Sequence, residues 1–298
     1  MFGTMARGAL LLGLASSTAF AQAYDDPETE RLMCQMEGNC PEEARPTVAT
    51  TPGEPVVVPA PARKLQRLAL DRGEAVVTIT TESSVGSGAM LEPTSIAPDV
   101  SYGLTDRVTL SLVHSGFGVT GFRGSAGGGL CMGDGCARVY NNAGVDALVD
   151  VVRHERFAVA AVAGVHAVSF EPMFVDVKLG AQASYRMGRV IAAVSPSMFI
   201  GVTERAMGNE GTVFAPASVS LQASRKWMVA LGGGVATPLA DAADGWTVRL
   251  GSIVRYRVKK GVFVAGSVFL PKLAGGSAVD GTGVDARVAN VWLTYAID

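Results

Sequence analysis

The chain has 298 residues and a formal net charge of −2 at pH 7. A balanced charge excludes a general affinity for nucleic acid, so we expect no nucleic-acid partner. Charged residues make up 17% of the chain and glycines number 36. This composition is more typical of a β-sheet protein with close backbone contacts than of a soluble helical enzyme.

The first 23 residues have the pattern of a secretory signal peptide. Arg7 precedes the apolar run 8–20, and Ala21 and Ala23 supply the small residues that a cleavage site requires. A buried core helix is the alternative interpretation of this run. Beyond it, no apolar run reaches the roughly 18 residues of a membrane helix. We therefore expect an exported protein that does not cross a membrane as helices.

Residues 24–72 are Pro-rich and lack periodicity, which predicts a disordered periplasmic segment. This segment contains Cys34 and Cys40, and a second close pair, Cys131 and Cys136, lies further along the chain. Close cysteine pairs in an exported chain predict two local disulfides. A metal site is the alternative, but the spacers are five and four residues and no histidine lies beside either pair.

From residue 73 to 298 the sequence predicts twelve strands, most of which alternate apolar and polar side chains. The predicted strands are 74–82, 96–104, 108–117, 143–153, 157–169, 175–186, 190–203, 212–223, 227–239, 246–258, 262–272 and 286–297. Every second connection is very short, such as 105–107, and most others are long, such as 117–143. Short turns at one end and long loops at the other are typical of a transmembrane β-barrel.

The hairpin 97–115 has one apolar face, which must be covered by lipid or by a second sheet. Strands of about ten residues or more fit a tilted membrane span. Aromatic residues on the apolar faces also gather near the short turns or the C-terminus: Tyr102, Phe157, Tyr185, Trp227, Tyr256 and Tyr295. Amphipathic rings prefer the lipid headgroup level. These features favour lipid over the alternative, a soluble exported β-sandwich.

The chain ends in VWLTYAID, where Val291, Leu293, Tyr295 and Ile297 share one face. This ending resembles the C-terminal signature of outer-membrane barrels, with Ile297 in place of the usual aromatic residue. The segment 102–107 also resembles a turn of porin-like outer-membrane barrels. The resemblance implies an all-β, closed antiparallel transmembrane barrel of about 12 strands in the bacterial outer membrane. It further implies two partners, outer-membrane lipid and the barrel-assembly machinery.

The faces opposite the apolar ones are polar, so they predict the lining of a lumen. The predicted pore-lining residues are Asp146, Asp150, Asp176, Lys178, Gln182, Arg249, Arg255 and Asn290. Because the acidic residues precede the basic ones, the pore would have an acidic and a basic wall that orient small solutes. The alternative is a set of internal salt bridges that plug the lumen.

We therefore expect a passive channel for small solutes. Two other classes stay open: a structural envelope barrel with a plugged lumen, and an outer-membrane enzyme. Against an enzyme, the sequence lacks a G-x-S-x-G motif, and a lone histidine on a strand, such as His114, His154 or His166, is more often structural. The sequence also predicts no cofactor and no metal site.

Overall fold

The computed structural model describes residues 65–86, 89–122, 128–136 and 138–297, and most of them lie in antiparallel strands. The elements are β1 (Ala75–Gly86), β2 (Ala89–Thr105), β3 (Val108–Val113), α1 (Gly116–Thr120), β4 (Gly129–Met132), β5 (Tyr140–Asn141), β6 (Ala143–Arg153), β7 (Phe157–Phe170), β8 (Met173–Met187), β9 (Val190–Val194), β10 (Ser197–Gly201), a 3-10 helix (Arg205–Met207), β11 (Thr212–Gln222), β12 (Trp227–Pro238), β13 (Thr247–Lys259), β14 (Val262–Gly275) and β15 (Val288–Ile297). In these ranges, no helix has the length and apolar character of a membrane span.

The sheet closes on itself because β1 pairs with both β2 and β15. β9 and β10 are two halves of one broken strand, and β4 and β5 extend the sheet alongside the long β2 where β3 has ended. The wall of the barrel therefore has twelve strands. Closure leaves no strand edge with unpaired backbone groups in lipid. The predicted closed antiparallel barrel of about 12 strands is confirmed.

Three predicted strands differ clearly from the observed ones. The predicted strand 96–104 begins seven residues earlier, at Ala89 of β2. Pro196 separates β9 from β10 within the predicted strand 190–203, because proline has no N–H to donate to the sheet. The predicted strand 108–117 ends at Val113, and the residues after it form α1. The early end of β3 lies towards the loop end of the barrel, which we define as the end opposite the short turns, whereas the break at Pro196 lies beside Gly180, near the middle of β8.

The outward side chains are apolar and exposed, whereas the inward ones are buried. Along β12, exposed Trp227, Val229 and Leu231 alternate with buried Met228 and Ala230. Further exposed apolar side chains on the wall are Ile79, Leu110, Leu112, Val145, Leu179, Val254, Val264, Val291 and Leu293. A soluble barrel or sandwich would bury these side chains, so the exterior is a lipid-facing surface.

Aromatic side chains mark the short-turn end of this surface. Tyr102, Tyr185, Trp227 and Tyr295 are exposed on the outer face, and the ring of Trp227 lies 4.7 Å from that of Tyr256. Rings of this kind sit at the boundary between lipid and water. The short-turn end, which faces the periplasm in outer-membrane barrels, therefore coincides with one membrane boundary.

A disulfide joins Cys131 in β4 to Cys136 in the turn that follows it. One of the two predicted bonds is thus confirmed. Cys34 and Cys40 lie outside the described residues, and their bond stays a prediction.

We expect a non-reduced proteolytic digest to contain a peptide in which Cys34 is bonded to Cys40, because the only other cysteines are already paired with each other. Mass spectrometry of the digest measures this directly. A peptide that joins Cys34 to Cys131 would contradict both pairings.

The lipid-facing surface predicts a depth-dependent cost for a charged side chain. Leu231, near the middle of β12, is 60% exposed, and Val284, in the loop before β15, is 62% exposed. Leu231→Arg should lower the free energy of unfolding by about 2–4 kcal/mol, as expected near the bilayer midplane. Val284→Arg is the matched control and should change it by less than about 1 kcal/mol. Urea unfolding in lipid vesicles measures both values, and equal costs would contradict the assignment of the exterior.

Candidate functional site

All eight predicted pore-lining side chains lie on the inward faces of their strands. Six of them are buried, and Gln182 and Arg249 are partly buried. The buried ones are Asp146, Asp150, Asp176, Lys178, Arg255 and Asn290. The structure nevertheless divides them among different surroundings, so they do not form one continuous charged wall.

A charged cluster links β6, β7 and β8 on the inner wall. Lys178 Nζ donates a hydrogen bond to one carboxylate oxygen of Asp146 at 2.7 Å, and His166 Nε2 lies 2.7 Å from the other oxygen. In the sheet register, Gly164 stands between Asp146 and Lys178. A Cβ atom at position 164 would collide with the Asp146 carboxylate. This glycine therefore allows the two charges to meet across the intervening strand.

The chain after β3 folds into the barrel and is held by two polar contacts. The Asp99 carboxylate accepts hydrogen bonds from the backbone N–H groups of His114 and Ser115 and from the Ser115 hydroxyl. Ser115 in turn caps α1 by accepting from the N–H of Gly118. Lys178 also donates to the Gly118 carbonyl oxygen at 3.3 Å. These contacts attach α1 to two strands of the wall, β2 and β8.

An aromatic cluster continues this inward fold. Phe122 is fully buried, its ring centroid lies 6.0 Å from that of Phe214, and Phe214 lies 5.5 Å from Phe199. The guanidinium of Arg249 lies 4.9 Å from the Phe122 ring centroid, and that of Arg255 lies 3.9 Å from the Phe263 ring centroid. Both predicted pore arginines therefore pack against aromatic rings.

The lumen beside the late strands contains an apolar core that the sequence analysis missed. Its buried side chains are Ala230, Ile253, Ala265, Phe269 and Trp292. In β14, the segment VFVAGSVF is apolar on both faces, which is the signal of a strand buried on both sides. In an outer-membrane barrel, such a strand indicates that its inner face contacts packed protein instead of water.

A cavity of about 90 Å³ remains beside the early strands, and we call it the polar cavity after its charged and hydroxyl side chains, although apolar atoms supply most of its surface. It has room for several water molecules. Its lining contains the charged residues Asp99, Asp146 and Lys178, the amide of Gln182, and a set of hydroxyls: Ser101, Thr109, Ser111, Thr120, Ser195 and Ser197. The other five predicted pore-lining residues do not line it: Asp150, Asp176, Arg249, Arg255 and Asn290. Among the described residues, no cluster of three or more His, Cys, Asp or Glu side chains could hold a metal ion.

The comparisons with known proteins agree with this architecture. No protein-family model and no curated protein matches the sequence. The fold is similar to that of the NanC porin, with a TM-score of 0.53 and 8% identity, over 74% of this chain and 98% of that one. It is also similar to the KdgM porin, with a TM-score of 0.51 and 8% identity, over 75% and 99% of the two chains. Together with the lipid-facing exterior, the shared fold shows a closed transmembrane β-barrel.

The charged cluster predicts a specific pattern of stability changes. Lys178→Met should lower the free energy of unfolding by about 3–5 kcal/mol, because it leaves the Asp146 carboxylate buried without its cation. The double variant Lys178→Met/Asp146→Asn should recover a large part of that loss. Urea unfolding in detergent measures both. If the losses of unfolding free energy caused by Lys178→Met and by Asp146→Asn alone simply added in the double variant, the pairing would be contradicted.

Proposed function

We propose that this outer-membrane β-barrel is a passive channel for small polar solutes, with a route on one side of the lumen. The observation that carries the proposal is the hydroxyl-rich cavity beside the early strands, opposite the apolar core of the late strands. A solute that replaces its hydration shell needs hydrogen-bonding groups along its path. Those groups line the cavity and are absent from the core cluster.

The selectivity of the route would depend on Asp146 and Lys178, the acidic and basic groups of the cavity wall. Charges at a constriction select solutes through the local potential. The sequence also predicts Arg249 and Arg255 as pore-lining residues, but their packing on Phe122 and Phe263 favours the charges of the earlier strands for this role. Because the cavity is small, the solutes would also have to be small.

A structural barrel with a plugged lumen is the second candidate. The observations that favour it are the inward fold of α1 and the paired charges of Asp146 and Lys178. A barrel of this class would conduct no ions. Electrical conductance therefore separates the two candidates.

We further propose that the protein is not an enzyme, because its three histidines make contacts of a structural kind. His166 is paired with Asp146, the ring of His114 contacts the Pro98 carbonyl at 2.7 Å, and His154 stacks on Phe157.

For partners, the exposed apolar side chains of β15 are consistent with recognition by the barrel-assembly machinery. Outer-membrane lipid covers the same surface.

The channel proposal predicts which charge controls ion selectivity. In planar bilayers the purified barrel should conduct, and Lys178→Gln should shift the reversal potential towards cation selectivity because a cation of the route is lost. Arg255→Gln removes the same charge from the other side of the lumen and should shift it much less. A barrel that stays closed in all three forms would favour the structural candidate, and a larger shift for Arg255→Gln would place the route elsewhere.

A further inference from the structure

Residues 65–72, which we call the strap, enter the short-turn mouth of the barrel. The sequence analysis included them in the disordered segment 24–72, but Leu68, Ala69 and Leu70 are only 1%, 0% and 0% exposed. Leu68 and Ala69 belong to one buried cluster with inward side chains of β6 and β7: Leu148, Ala158, Ala160 and Val162. The strap is therefore packed against the inner wall, whereas residues 24–64 lie outside the described ranges.

The backbone of the strap is held by side chains of the wall. The Asp150 carboxylate accepts hydrogen bonds from the N–H groups of Leu68 and Ala69, each at 3.1 Å. Thr109 accepts from the N–H of Leu70 at 2.8 Å. Arg153 donates to the same Asp150 carboxylate at 2.7 Å. A buried carboxylate with several donors is well compensated, so Asp150 binds the strap where the sequence predicted contact with solutes.

The strap continues across the mouth to β2. A Cβ atom at Gly103 would collide with the carbonyl oxygen of Asp71, so only glycine permits the close approach at this position. Arg67 forms ion pairs with Asp71 and Glu74. Burial lowers the pKa of the Arg67 guanidinium, and the charge of Glu74 acts in the opposite direction. The contacts thus extend from β6 to the start of β1.

The strap and the polar cavity share residues of the inner wall. Thr109, Leu148 and Val162 line the cavity, and the same three residues contact the strap or belong to its buried cluster. On the other side, Phe117 and Gly118 of α1 line the cavity towards the loop end. A solute that moves through the cavity to the short-turn end therefore meets the strap.

We propose that the strap is a closing element of the short-turn mouth and that Asp150 is the group that keeps it closed. Passage through the cavity then requires the strap to leave its place, so the wild-type barrel should conduct only while the strap is displaced. This inference rests on the proposed function only for the passage of solutes, since the position of the strap and the role of Asp150 can be measured without conductance.

The test uses Ala158→Cys, a site with no exposure beneath the strap, in a full-length background with Cys34 and Cys40 replaced by serine. The probe is a charged, water-soluble maleimide, and the readout is its rate of reaction. With Asp150 present the cysteine should react slowly. Asp150→Ala should raise the rate at least tenfold, because two strap N–H groups lose their acceptor. Asp241→Ala, at an exposed acid of a loop, is the control and should leave the rate unchanged.

Thr109→Val is a second variant, which removes one strap contact without changing the charge, and it should raise the rate by a smaller factor. Circular dichroism verifies that each variant keeps the barrel. A fast reaction with Asp150 present, or an unchanged rate in both strap variants, would overturn the proposal. Conductance of Asp150→Ala is measured in parallel: fast labelling with no conductance would overturn the channel function and leave the strap supported, whereas slow labelling with conductance would overturn the strap alone.

Discussion

The structure depends on one constraint: within lipid, every backbone N–H and C=O must find its partner inside the protein. The chain satisfies this constraint because the pairing of β1 with β15 closes the twelve-stranded sheet into a barrel. Closure reverses the usual positions of apolar and polar side chains, so that Leu231 and Val254 face lipid while Asp146 and Lys178 face the interior. It also creates an internal volume that is too wide for the wall side chains of some strands to fill alone. Inward side chains, the helix α1 and the strap occupy this volume.

The interior is occupied in two different ways. Beside the late strands, Phe269 and Trp292 pack with small apolar side chains as in the core of a soluble protein. Beside the early strands, the buried carboxylates of Asp146 and Asp150 are compensated by Lys178 and Arg153. A charge in a narrow, partly dehydrated lumen is costly unless it is paired. The polar cavity lies only where such pairing and hydroxyl groups replace apolar packing, and this asymmetry determines where a solute could move.

Two segments that are not part of the wall complete the interior. The helix α1 enters from the loop end and is fixed by Asp99 and Lys178, and the strap enters from the short-turn end and is fixed by Asp150 and Thr109. Both are held by hydrogen bonds to a few side chains and by apolar packing, not by strand pairing. Segments attached in this way can open at a lower free-energy cost than the wall, whose ladders break together. The fold thus combines a rigid barrel with two less strongly bound inward segments.

The sequence by itself determined the barrel. Alternation with a period of two assigns each side chain of a strand to one face, and this local property predicted the apolar exterior and the inward positions of Asp146 and Asn290. The close spacing of two cysteines predicted the Cys131–Cys136 bond. Only the tertiary structure decided what each inward side chain contacts. Arg249 meets Phe122, 127 positions earlier, and Asp150 meets Leu68, 82 positions earlier. Such contacts carry no local periodicity, because they arise where loops and the strap fold into a volume that exists only after the barrel has closed.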